Sequence, residues 1–119
     1  MFPYDREVAY DEALAERIRD LVGEEPGLTE QKMFGGLAFL LGGHLSVSAS
    51  GQGGMLVRVA PSDSDALLAE PGAALMQMSG RPPMDGWIRV APEVLDDEAV
   101  LERWIDRGVA HARSLPPKT

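Results

Sequence analysis

The side chains with the chemistry to act as ligands or catalysts are two histidines, a row of serines and a few isolated cations. His44 and His111 are the only imidazoles. A metal ion would need one of them beside carboxylates at ligand spacing. No HExxH run occurs, and with no cysteine in the chain a His–Cys set is impossible. His44 follows a glycine turn by one step, and His111 lies near the end of a helical pattern, where a cation meets the negative end of the helix dipole. No metal site is expected. Ser46, Ser48 and Ser50 alternate with apolar residues, as on a half-exposed strand, and none sits in a Gly-x-Ser-x-Gly elbow. Gly51, Gly53 and Gly54 could form a phosphate loop only if a helix followed to aim its amides at the anion; a strand pattern follows instead, so a hairpin loop is expected. The chain offers no catalytic residues and no cofactor site by these criteria.

Lys32, Arg58, Arg81 and Arg89 are the only bases between residues 31 and 90. They are candidate contacts for an anion or an acidic partner if the fold gathers them on one sheet face, and solvated strand side chains if it does not. Arg81, between Gly80 and Pro82, lies in a constrained loop of the kind that carries binding residues, although hydrogen bonds from its guanidinium to nearby carbonyls are the simpler use. Met33, Met55, Met76, Met78 and Met84 suit adaptable packing in a core or an interface. Gly35-Gly36, ahead of an apolar run, is read as a bend or bulge in preference to a ligand approach site.

The charge balance limits the partners. Residues 1–30 hold nine acids and three bases, and the whole chain carries a net −8. Phosphate backbones and anionic lipid surfaces are bound by clustered Lys and Arg, so neither direct nucleic-acid binding nor membrane association is expected. No apolar run approaches the roughly 20 residues that span a bilayer, and the N-terminus lacks the basic start and apolar middle of a secretion signal. A cytoplasmic location is expected. The length of 119 residues suits one domain that folds without staples: residues 1–9 read as a tail, 10–116 as the domain and 117–119 as a C-terminal tail.

The elements that would position these residues follow from periodicity. Leu14, Ile18, Leu21 and Val22 recur at helical spacing behind Asp11, which can cap the first turn; Gly23 is expected to end that helix in a left-handed conformation. Residues 28–59 read as a meander with strands at Leu37–Leu41, His44–Ser50 and Met55–Val59. If Gly42-Gly43 forms the two-residue turn, Leu41 faces His44, Leu40 faces Leu45, Phe39 faces Ser46 and Ala38 faces Val47. Ala38, Leu40, Leu45 and Val47 then form the core side, leaving Leu37, Phe39 and Leu41 on the other. A short helix over Asp63–Glu70, two strands at Ala74–Met78 and Trp87–Val90, and a helix from Asp96 or Asp97 that fades at Pro116-Pro117 complete the chain. The expected fold is α+β: a two-layer sandwich with an antiparallel sheet of about five strands and both terminal helices on one face.

Three segments carry a family resemblance. Gly27-Leu28-Thr29-Glu30-Gln31-Lys32-Met33-Phe34-Gly35-Gly36-Leu37-Ala38-Phe39, then Gly80-Arg81-Pro82-Pro83-Met84-Asp85-Gly86-Trp87, then Trp104-Ile105-Asp106-Arg107-Gly108 with Ala112-Arg113-Ser114-Leu115-Pro116 resemble, in this order, the N-terminal domain of the TfoX/Sxy family, over about residues 10–116. The resemblance implies an α+β domain and supplies no catalytic residues. Full-length members of the family are bacterial competence regulators that act on transcription with the cyclic-AMP receptor protein and carry a second, C-terminal domain; this sequence stops where that domain would start, which sets it apart from them.

The functional expectation is a non-enzymatic interaction protein, self-associating or bound to another protein, with Leu37, Phe39 and Leu41 as the contact surface, because a two-layer fold covers only one face of that strand. A transcription-linked regulator working through a DNA-binding partner is the alternative. A small enzyme or an anion-binding protein with a site near Arg81 ranks below both.

Overall fold

The computed structural model describes residues 10–33, 35–77 and 80–117. The described residues form helices α1 (Glu12–Val22), α2 (Ser64–Leu67) and α3 (Glu98–Arg113). They also form strands β1 (Leu28–Met33), β2 (Gly36–Leu41), β3 (His44–Ala49), β4 (Met55–Arg58), β5 (Ala73–Met76) and β6 (Met84–Val90). The expected tail at residues 1–9 and the expected strand residue Met78 lie outside the described residues, as do Phe34, Ser79, Lys118 and Thr119.

Both long helices start at an aspartate whose carboxylate accepts from the first turn: Asp11 from the Leu14 amide at 3.1 Å and Asp97 from the Ala99 amide at 2.9 Å. Each helix is amphipathic. α1 buries Leu14, Ala15, Ile18 and Val22, and α3 buries Leu101, Trp104, Ile105, Gly108 and Ala112. Gly23 does not end α1 as expected: its backbone stays right-handed (φ −47°, ψ −28°), and the positive φ falls instead at Gly27.

The strands form one antiparallel sheet in the order β1-β2-β3-β4-β6-β5. The fold is α+β with the terminal helices on one sheet face, and the sheet has six strands rather than about five. The added strand is β1, an edge strand whose four central residues, Thr29 to Lys32, are exposed. α1, α3 and the sheet enclose the main core, in which Ile18, Phe39, Val47, Val57, Ile88, Leu101 and Trp104 are fully buried; each large apolar side chain so buried stabilises the fold by about 1.5–3 kcal/mol. α3 crosses the sheet over β3 at Gly108. A Cβ there would collide with the Ser46 carbonyl oxygen and lie 2.7 Å from Val47 Cγ1, so glycine sets the distance between the layers. Arg19 of α1 grips Glu30 of β1 through Nε and Nη2 at 2.7 and 2.9 Å, and this hydrogen bonding holds the Glu30 carboxyl below its usual range.

The hairpin expected at Gly42-Gly43 forms, both glycines having positive φ, and the first two pairs, Leu41 with His44 and Leu40 with Leu45, are as expected. The register then changes. Phe39 pairs with Val47 and Ala38 with Ser48, so Ser46 is an extra residue in β3, a β-bulge. Its hydroxyl donates to the Phe39 carbonyl at 2.7 Å. One bulged residue exchanges the faces of everything beyond it. Val47 therefore joins Leu37 and Phe39 under the helices. Ser46 and Ser48 are buried, so the half-exposed strand expected there is instead covered on both sides. The bend or bulge expected at Gly35-Gly36 is instead a connection between paired strands: Gly35, with positive φ, lies between β1 and β2, and Gly36 opens β2, so close to Ala49 that a Cβ would overlap its carbonyl oxygen.

Candidate interaction surface

Pairing fixes which side chains share a face. The helix side holds Leu28, Glu30 and Lys32 of β1, opposite Leu41, Phe39 and Leu37 of β2, and continues through Val47, Val57 and Ile88. The expected contact surface falls here. Leu37, Phe39 and Leu41 are 7%, 0% and 2% exposed, with Leu37 and Phe39 in the core beneath the helices, so these three cannot be a surface patch. The bulge at Ser46 is the reason.

The face without helices holds the other set. Ala38, Leu40, Leu45 and Leu56 form a second apolar cluster there; these four are buried too, and what the face presents is Met33, Met76 and Trp87, each half-buried and packed over them. Arg58 and Arg89 stand on the same face, because Arg58 pairs with Trp87 and Leu56 with Arg89. The four candidate cations are thus separated. Arg58 and Arg89 are brought to one face. Lys32 projects to the helix side of the edge strand, and Arg81 is exposed in the β5–β6 loop, where its carbonyl accepts from Gln77 Nε2 at 3.4 Å.

Arg58 is held in place. Its Nη1 donates to the carbonyls of Val59 (2.9 Å) and Gly86 (3.3 Å), and its guanidinium carbon lies 5.0 Å from the centre of the Trp87 ring, a cation–π distance. Burial lowers its pKa from the usual guanidinium value. Arg89 Nη2 reaches the carbonyls of Gln52 and Gly53 at 3.5 and 3.4 Å, the long limit of a hydrogen bond. Beside Arg58 and Trp87 a cavity of about 370 Å³ opens between Met33, Leu40, Leu45 and Leu115. His44 closes one side of it, its Nε2–H donating to the Pro116 carbonyl at 2.6 Å, so the chain beyond α3 is tied to the β2–β3 turn.

His111 differs from its expected role as a helix-terminal cation. It is half-buried, and burial first, then the charges of Arg58 and His44, lower its pKa against the opposing pull of Asp63. The ring is therefore neutral near pH 7. Among the described residues no three His, Asp or Glu side chains are grouped to hold a metal ion, and no helix is long and apolar enough to cross a membrane.

Sequence reasoning missed Leu56, Met33 and Trp87 as members of one surface. The signal for it was present in β4 and β6, where Arg58, Trp87 and Arg89 alternate with buried Val57, Ile88 and Val90.

The sequence pattern of the TfoX N-terminal domain matches residues 20–112, a span that runs from the last turn of α1 into the last turn of α3. No curated protein and no solved structure matches the chain.

Proposed function

The chain belongs to the TfoX N-terminal domain family, and on that premise we propose that it is a cytoplasmic, non-enzymatic protein-interaction domain whose contact surface is the helix-free sheet face. The observation that carries this reading is the group of half-buried side chains Met33, Met76, Trp87, Arg58 and Arg89 standing over a second apolar cluster, Ala38, Leu40, Leu45 and Leu56, that is itself buried. Aromatic residues, methionine and arginine are the types enriched at the centres of protein interfaces. The partner is another protein or a second copy of the chain; nucleic acid and membrane are disfavoured by the net charge of −8. Sedimentation velocity at micromolar concentration separates the two cases. A dimer that Met76→Asp, at a half-buried position of this face, converts to a folded monomer assigns the face to self-association, and a wild-type monomer assigns it to a different protein.

Family membership favours a second, narrower reading, in which that partner is a DNA-binding transcription regulator. Purified bacterial RNA polymerase and a cyclic-nucleotide receptor protein, each titrated against the labelled domain, test it: saturable binding lost in folded Met76→Asp supports it, and no binding to either removes it.

A further inference from the structure

Arg107 and His111 lie one turn apart on α3, on the side that faces the segment from Val59 to Leu67. A cleft of about 500 Å³ separates that segment from the helix, walled by Val59, Ala66, Leu67 and Ala110, a size within the range of small-molecule sites. Two nitrogens of residues lining it, Arg107 Nη1 and His111 Nε2, are buried without a hydrogen-bond partner. Arg107 cannot easily turn Nη1 elsewhere, because its Nη2 donates to Glu70 Oε2 at 2.6 Å and its guanidinium lies over the Trp104 ring at 4.6 Å. Buried polar groups in folded proteins are as a rule paired, and two unpaired nitrogens on residues that line one cleft are groups a ligand's acceptor oxygens would pair.

We propose that this cleft binds a small carboxylate with an apolar body, its oxygens accepting from Arg107 Nη1 and His111 Nε2 and its carbon chain lying against Val59, Ala66, Leu67 and Ala110. A charged donor favours a carboxylate over a neutral carbonyl, since such hydrogen bonds are the stronger class. The neutral His111 ring donates from Nε2 in one of its tautomers. Asp63 also lines the cleft and opposes an anion there, so the apolar walls and the two donors must outweigh it. The cleft shares no lining residue with the proposed contact face, although Arg58 lies near enough for its charge to act on His111.

The test is a titration of the ¹⁵N-labelled full chain with sodium octanoate, followed by amide and imidazole NMR signals, with octanamide as the neutral match. Saturable shifts centred on Leu67, Arg107, Ala110 and His111 are expected, with octanamide weaker by about tenfold. Arg107→Met removes a partner of Glu70 and could unfold the chain, so two other variants carry the test. Ala110→Trp, at an exposed helix position, fills the cleft and should abolish the shifts, and His111→Phe should weaken binding by about tenfold. The proposal is overturned by the absence of saturation, by shifts centred on the open sheet face, by undiminished binding to folded Ala110→Trp, or by octanamide binding as tightly as octanoate.

Discussion

The hydroxyl of Ser46 donates to the carbonyl of Phe39 at 2.7 Å, with Ser46 fully buried. This bond closes the bulge that puts Phe39 and Val47 under the helices and leaves Leu40 and Leu45 on the open face. Ser46→Ala leaves a buried carbonyl without that donor and should cost about 1–2 kcal/mol. Urea denaturation checks it: the midpoint should fall with the slope unchanged.

Gly108 sets how closely α3 approaches β3. Alanine is the better helix former by about 1 kcal/mol, yet its Cβ has no room against Ser46 and Val47. Gly108→Ala should therefore destabilise by about 1–3 kcal/mol, the range of overpacked cores. A melting temperature above wild type would show that the layers can separate freely.

The two faces of the sheet should respond differently to truncation. Phe39→Ala removes a fully buried ring and should cost about 3–5 kcal/mol. Met76→Ala, at a half-buried position on the open face, should cost much less while weakening any complex. Chemical denaturation beside a binding assay separates the two effects.

Stability should fall on acidification in two steps. His111, with an ordinary value of 6.5, and Glu30 and Glu70, with ordinary values of 4.5, all have lowered pKa values in the folded chain. Burial is the main cause at His111, and hydrogen bonds from Arg19 and Arg107 are the causes at the two glutamates. In each case the unfolded chain takes up its proton at the higher pH, so stability rises with pH through the window. Going down in pH, the first loss starts below 6.5 and the second below 4.5. His111→Gln should flatten the first step and leave the second, as read from urea midpoints measured across the pH range.

Much of the fold was readable because local signals agreed with it. Asp11 and Asp97 mark helix starts, Leu101, Trp104 and Ile105 mark a buried helical stripe, and Gly42-Gly43 marks a tight turn. β1 escaped because an exposed edge strand such as Thr29-Glu30-Gln31-Lys32 has no alternation to detect. The contact face was half legible: Arg58 and Arg89 label the open side of β4 and β6, but carrying that label across to β2 passes through Ser46, and a single extra residue reverses it. Nothing local announces such a bulge, since a serine among Leu45, Val47 and Ala49 fits a regular strand equally well. The cleft at His111 depends on α3 lying beside a segment far away in the chain, a relationship that periodicity does not encode.

Site-specific photo-crosslinking in the source organism tests the central claim most directly. A photoreactive amino acid at Gln31 or Ala74, exposed on the open face, is compared with one at Glu102 or Arg103, exposed on α3. The proposed contact face predicts discrete protein adducts from the first pair, either at twice the chain's mass or at the mass of another protein, and none from the second. Adducts formed only from α3 would contradict it.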